Sequence, residues 1–138
     1  MNVKKFMTSD VHTVNLEMSV REAIEVLTLH KISGAPVIDA NNRVISVISE
    51  GDLLKMAAAK LLDRKIGSCL SHLVKTEQLI SLSVSHNFID VYRLFIAKPV
   101  HRIIIMDGNG RLQGIVSRSN VLRIIVKSGK DLTEHSAA

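Results

Sequence analysis

The chain has 138 residues, is 46% hydrophobic and carries a formal net charge of +5, which allows one compact module with a substantial core. No stretch approaches the roughly 20 apolar residues of a membrane span, and Met1-Asn-Val-Lys-Lys5 leads straight into patterned sequence without a signal-peptide apolar region, so no membrane role and a cytoplasmic location are expected. The charge excess lies wholly in residues 65–138 and attracts anions of any kind, while the single cysteine, Cys69, can form no internal disulfide and reads as structural.

Ser19 to His30 has apolar residues at 20, 23, 24 and 27, with Glu22 three residues after Ser19, the pattern of a capping box opening an amphipathic helix that Gly34 brings to an end. Ala35-Pro-Val-Ile-Asp39 reads as a strand, residues 40–43 as a turn and Val44 to Ile48 as a second strand in a hairpin with the first. Leu53 to Leu62, rich in Ala, Leu and Met, reads as a helix. A polar connection from Asp63 to Gln78 follows. Then Asn87 to Ala97 is predicted helical, His101 to Met106 strand, Asp107 to Gly110 a tight turn, Leu112 to Val116 strand and Asn120 to Val126 helix. The tail from Ser128, with His135 as a surface histidine, lacks apolar periodicity and is expected to fray.

The two halves are copies. Val11 to Ala58 lies over Leu79 to Val126 at a constant offset of 68 residues, placing Asp39 on Asp107, Arg43 on Arg111, Ser49 on Ser117 and Leu54 on Leu122. Identities are few, but apolar positions match widely, as with Val20 and Phe88 or Val37 and Ile105. A repeat this short is near the lower limit for an independent domain. Two copies are therefore expected to share one core across a pseudo-twofold interface, with the cleft between them the first place to look for a ligand.

In each half a strand runs into a helix through a short polar turn, Val47-Ile-Ser-Glu-Gly-Asp52 and Ile115-Val-Ser-Arg-Ser-Asn120. Backbone N–H groups at a helix amino terminus are unpaired and can meet an anion or be capped. Asp and Asn are favoured caps, which accounts for both positions without a ligand. A carboxylate can equally accept from the vicinal hydroxyls of a ribose, so residue chemistry alone leaves the alternatives open.

These motifs resemble a tandem pair of CBS domains, the module first recognised in cystathionine beta-synthase. Met7-Thr8, Val14, Ser19-Val20, Glu22-Ala23, Ala35-Pro-Val-Ile-Asp39 and Ser49-Glu-Gly-Asp52-Leu-Leu54 carry the likeness in the first half. It implies an α/β fold of two βαββα repeats, with residues 6–62 the first, 63–73 the crossover, 74–127 the second and 128–138 the tail. In the second half, Val100-His-Arg-Ile-Ile-Ile-Met-Asp107 followed by Gly114-Ile-Val-Ser-Arg-Ser-Asn120 is similar to an adenine-nucleotide-binding repeat of the gamma subunit of AMP-activated protein kinase. The resemblance implies that His101 and Arg102 contact phosphate and that Ser117, Ser119 and Asn120 surround phosphate and ribose. It further implies backbone contacts from Asp10, Val11 and Ile32 for the Asn120 site, and from Gln78, Leu79 and Val100 for a site built on Ser49 and Asp52.

The two sites depart from the family pattern in opposite directions. Asn120 stands where the family has Asp and offers one acceptor oxygen and no charge. The first half keeps Asp52, but Ser33 and Gly34 occupy the positions matching His101 and Arg102. Lys31, Arg111, Arg118 and Arg123 add positive potential near the second site. The expected ligand is an adenosyl nucleotide, AMP, ADP or ATP, acting as a regulatory ligand, with no cofactor in the catalytic sense and no metal.

Catalysis is not expected. His12, His30, His72, His86 and His101 show no metal-ligand spacing, and neither serine has a histidine at a fixed distance to activate it. Nucleic acid is not expected either, because Phe6, Phe88, Tyr92 and Phe95 mostly fall at apolar-periodic positions rather than forming stacking platforms. The expectation is a ligand-sensing regulatory module that forms a homodimer through its closing helices and acts on a separate effector protein. The alternative is a structural protein-interaction module without a small-molecule ligand.

Overall fold

The computed structural model describes residues 1–128, and in it each half folds in the order strand, helix, strand, strand, helix. The first half comprises β1 (Val14–Asn15), α1 (Val20–His30), β2 (Gly34–Ile38), β3 (Val44–Ser49) and α2 (Glu50–Ala58). The second comprises β4 (Ser81–Leu82), α3 (Phe88–Ala97), β5 (Arg102–Met106), β6 (Leu112–Ser117) and α4 (Arg118–Ser128). Short 3-10 turns lie at Val3–Lys5, Ile66–Ser68, Leu70–His72 and Thr76–Gln78. The strands form two sheets ordered β1-β2-β3 and β4-β5-β6. In the first sheet β1 runs parallel to β2 and β3 antiparallel to it, with a register shift between Val37 and Ile38. β4 runs parallel to β5.

Local chemistry sets the element ends. Ser19 caps α1 by accepting from the Glu22 N–H while Glu22 accepts from the Ser19 N–H, the reciprocal box that the sequence predicts. The helix stops at Lys31, which adopts a left-handed conformation (φ 53°), so Gly34 is free to open β2 rather than end α1. Asp39 organises the hairpin turn by accepting from the N–H groups of Asn41 and Arg43 at 2.8 and 2.9 Å. In the matching turn of the second half Gly110 takes the left-handed position (φ 78°). Both closing helices begin earlier than their apolar pattern suggests, α2 at Glu50 rather than Leu53 and α4 at Arg118 rather than Asn120. α2 also stops at Ala58 instead of reaching Leu62, with Lys60 turning the chain in a left-handed conformation. Ser128 closes α4, and the rest of the expected tail, with His135, lies outside the described residues.

The chain divides into two compact units. The α1–α2 unit contains Val11–Leu79 and Asn109–Leu112, and the α3–α4 unit contains Met1–Asp10, Ile80–Gly108 and residues 113–128. Each has its own buried cluster, which replaces the single shared core expected from the repeat's length. Val14, Val20, Ala23, Leu27, Val37, Ile48 and Met56 fill the first, closed by Ile66, Cys69 and Leu73 from the connection after α2. Val3, Phe6, Phe88, Val91, Ile103, Ile105, Val116 and Val121 fill the second, with Phe6 and Phe88 edge to face at 5.6 Å.

Borrowed segments explain the difference. The α1–α2 unit gains the 63–79 connection, where Glu17 accepts from Lys65 (2.7 Å), a hydrogen bond that raises the lysine's pKa. The α3–α4 unit gains Met1–Asp10, tied in where Val3 donates to the His86 carbonyl and Phe88 to that of Met1. Each unit is thereby larger than one repeat and can bury a core of its own.

Candidate functional site

The two strand-to-helix turns share one hydrogen-bond plan. In the α1–α2 unit, Ser49 ends β3 and caps α2. Its N–H and its hydroxyl both donate to Asp52 Oδ2, at 2.8 and 2.9 Å, and the Asp52 N–H donates back to Ser49 Oγ at 3.2 Å. In the α3–α4 unit, the Ser117 N–H and hydroxyl donate to Asn120 Oδ1 at 2.8 and 2.9 Å, and the Asn120 N–H returns to Ser117 Oγ at 3.3 Å. Capping therefore occupies the serine hydroxyl and one oxygen of Asp52 or Asn120 at each turn. Asp52 Oδ1 and Asn120 Nδ2 take no hydrogen bond among the described residues.

Although matched in geometry, the turns are opposite in charge. The first turn of α2 carries Glu50 and Asp52. The first turn of α4 has no acidic residue and begins with Arg118. Arg118 Nε donates to the Val100 carbonyl at 3.0 Å, anchoring this guanidinium beside the turn, and Ser119 Oγ lies 2.9 Å from Ser117 Oγ. Sequence reasoning left Arg118 among the general positive charges. Its place between two serines of a helix-opening turn was the available signal.

β2 and β5 bring the next residues. Gly34 pairs with Ser49 across the first sheet and, being glycine, contributes no side chain of its own beside the α2 cap. Arg102, at the equivalent repeat position, opens β5, the neighbour of the strand that Ser117 closes. Arg102 is half-buried and His101, just ahead of it, is exposed.

A segment lies along the last strand of each sheet. Thr8 and Ile115 exchange both backbone hydrogen bonds, at 2.8 and 2.9 Å, which carries exposed Asp10 alongside β6. Gly114 permits this approach, because a Cβ there would sit 2.7 Å from Met7 Sδ and 2.8 Å from the Thr8 carbonyl oxygen. In the α1–α2 unit, buried Ser46 donates to the Val74 carbonyl at 2.7 Å and Thr76 Oγ1 to that of Ile45 at 2.6 Å. These bonds hold Gln78 and Leu79 near β3. Thus Asp10, Val100, His101, Arg102, Ser117, Ser119 and Asn120 belong to the α3–α4 unit, and Val11, Ile32, Ser49, Asp52, Gln78 and Leu79 to the α1–α2 unit. Val11 and Ile32 are half-buried, and Ile32 packs on the core of its own unit.

The family model for the CBS domain matches residues 3–59 and again 70–127. The chain belongs to the CBS domain family. CBSX2 of Arabidopsis thaliana, a chloroplastic CBS domain-containing protein, is 29% identical over 97% of this chain and 67% of its own length. CBSX1 from the same plant is 28% identical over 88% of the chain and 62% of its own length, so the chain spans about two thirds of these relatives. A crystal structure of CBSX2 in complex with AMP superposes with a TM-score of 0.78, at 29% identity, over 94% of this chain and 98% of that one. The gamma subunit of 5'-AMP-activated protein kinase from Dictyostelium discoideum is 27% identical over 88% of the chain but only 23% of its own length.

CBS-domain pairs of this family are regulatory, non-catalytic modules. Among the described residues no group of three or more His, Cys, Asp or Glu side chains could hold a metal ion. His12 and His30 do meet, as exposed stacked rings with centroids 3.5 Å apart. No helix of the described residues is long and apolar enough to cross a membrane. The cytoplasmic expectation is overturned, since CBSX1 and CBSX2 are chloroplastic and point away from a purely cytoplasmic location. The reason is physical: organelle transit peptides are amphipathic and rich in Arg and Ser, so a search for an apolar signal segment does not detect them.

Proposed function

We propose that this chain is a ligand-sensing regulatory module whose ligand is an adenosyl nucleotide, AMP, ADP or ATP. One observation carries the reading. A relative aligned over 94% of the chain is solved with AMP, while both strand-to-helix turns here offer a side-chain group suited to ribose or phosphate. At the α4 turn, Arg102 and Arg118 supply guanidinium forks for phosphate oxygens, with His101, Ser117 and Ser119 as further donors. At the α2 turn, Ser49 holds Asp52 so that Oδ1 can accept from ribose hydroxyls. Backbone groups of Asp10 serve the first of these turns and those of Gln78 and Leu79 the second. The functional repeats are 6–62 and 74–127, joined by 63–73.

The output is conformational. Nucleotide bound only by the folded state stabilises it by mass action and shifts its equilibrium toward the bound arrangement, which a separate effector protein reads. Self-association as a homodimer is part of the proposal. Leu54 on α2 and Leu122 on α4, equivalent positions of the repeat, stand 73% and 62% exposed and are the apolar side chains that such an interface would cover.

A second reading is favoured by the caps themselves. Ser49, Asp52, Ser117 and Asn120 are each explained by helix capping alone, as they would be in an interaction module without a small-molecule ligand. Thermal denaturation separates the two. The nucleotide module melts higher in millimolar AMP, ADP or ATP and does not respond equally to inorganic phosphate. Equal shifts from nucleotide and phosphate would remove the nucleoside part of the reading, and no shift at all would leave the interaction module.

A further inference from the structure

The side-chain amide of Asn120 is oriented by its surroundings. The Ser117 backbone N–H, 2.8 Å away, can only donate, so the atom facing it must be the amide oxygen. The Ser117 hydroxyl, at 2.9 Å, uses the same oxygen. The face of Asn120 turned away from the cap is therefore Nδ2, a donor without an acceptor among the described residues. Asp52 makes the same cap through Oδ2 and turns a carboxylate oxygen, an acceptor without a donor, to the equivalent position. One exchange of residue type has inverted the hydrogen-bond polarity of that position while leaving the backbone plan intact.

A ribose diol presents hydroxyl hydrogens that need acceptors, which a carboxylate satisfies with charge assistance and an amide NH2 does not. A phosphate oxygen only accepts; it suits the NH2 and is repelled by the carboxylate. Neighbouring repeat positions change in the same direction. Arg118 stands where the first repeat has Glu50, Ser119 where it has Gly51, and His101 and Arg102 where it has Ser33 and Gly34. Apart from Ser33 to His101, which exchanges one donor for another, every exchange adds a donor or removes an acidic group.

We infer that Asn120 is a specificity-determining residue that makes the α4 turn select a second phosphate group in place of a free ribose diol. The inference rests on the nucleotide-binding reading above and deepens it. The second phosphate has two chemical sources, a ribose ring hydroxyl that is itself phosphorylated or the terminal phosphate of a 5'-diphosphate, and either places an anionic oxygen opposite Nδ2.

Calorimetry on the full chain, with adenosine, AMP, ADP and adenosine 3',5'-bisphosphate as titrants, tests this. The wild-type chain is expected to bind at least one of ADP and the bisphosphate about tenfold more tightly than AMP, and the better of the two identifies the source. N120D reproduces a cap already present at Ser49 and Asp52, so it should fold, and an unchanged melting profile checks that it does. It is expected to tighten AMP and weaken the doubly phosphorylated ligand, reducing the preference by about tenfold or more. AMP bound as tightly as both doubly phosphorylated ligands, or a preference unchanged in N120D, would overturn the inference while nucleotide binding stood. A wild-type chain that bound none of the titrants would overturn the nucleotide-binding reading as well.

Discussion

Replacing Gly114 by alanine is expected to dislodge the amino-terminal segment from β6. The new Cβ would lie 2.7 Å from Met7 Sδ and 2.8 Å from the Thr8 carbonyl oxygen. The thioether is flexible and can move aside, but the carbonyl is backbone and must retreat by roughly half an ångström to reach ordinary contact. That oxygen accepts from the Ile115 N–H at 2.9 Å, in the same exchange in which Thr8 donates back at 2.8 Å, so the retreat stretches the pair to the edge of hydrogen-bonding range. Overpacking costs about 1–3 kcal/mol and two weakened backbone bonds up to about 1 kcal/mol each. A loss of roughly 2–4 kcal/mol corresponds to a Tm lower by roughly 8–15 °C for a chain of this size. Thermal denaturation gives the magnitude and amide hydrogen exchange the location, with the Thr8 and Ile115 N–H groups losing protection while the α1–α2 unit keeps its own. A Tm within about 1 °C of wild type, with both amides still protected, would refute the reasoning. Because the same segment carries Asp10, the substitution should also weaken nucleotide binding.

Arg102→Ala is expected to cost roughly 1.5–3 kcal/mol of nucleotide affinity if its bonds to phosphate are charge-assisted, read by calorimetry; unchanged affinity would favour the ligand-free interaction module. Ser49→Ala removes the two hydrogen bonds that the serine hydroxyl makes in the α2 cap and should cost about 1 kcal/mol of stability in chemical denaturation, with Ser117→Ala costing a similar amount at α4. Combining Leu54→Lys with Leu122→Lys is expected to convert a homodimer to monomer in light scattering, and a wild-type chain of monomer mass at micromolar concentration would remove the dimer altogether.

Features set by neighbours in sequence were legible. Ser19 with Glu22 announced the α1 capping box, and Asp39 with the polar residues after it announced a hairpin turn. The ends of α2 and α4 were misplaced because Ser49-Glu-Gly-Asp52 and Ser117-Arg-Ser-Asn120 read as polar loops. In the structure Asp52 and Asn120 fold back on their own serines, so each turn is already the helix's first turn. Lys31 and Lys60 end their helices in left-handed conformations that no residue pattern marks. The pairing of Met1–Asp10 with the second half is long-range and left no periodic trace. Its one sequence signal was Gly114, a glycine inside a strand, which marks a close backbone approach. At the candidate site the residue types were readable from the repeat, but the direction of the Asn120 amide was not. That direction depends on which atom meets the Ser117 N–H, a fact of three-dimensional geometry.

The central claim is that nucleotide binds at the two capped turns. The most direct measurement is the map of backbone amide chemical-shift changes when AMP or ADP is titrated into isotope-labelled chain. The account predicts saturable changes concentrated at residues 117–120, at His101, Arg102 and Asp10, and at residues 49–52 with Gln78 and Leu79. Saturable changes confined elsewhere, such as the exposed faces of α2 and α4 around Leu54 and Leu122, or no changes at millimolar nucleotide, would contradict it.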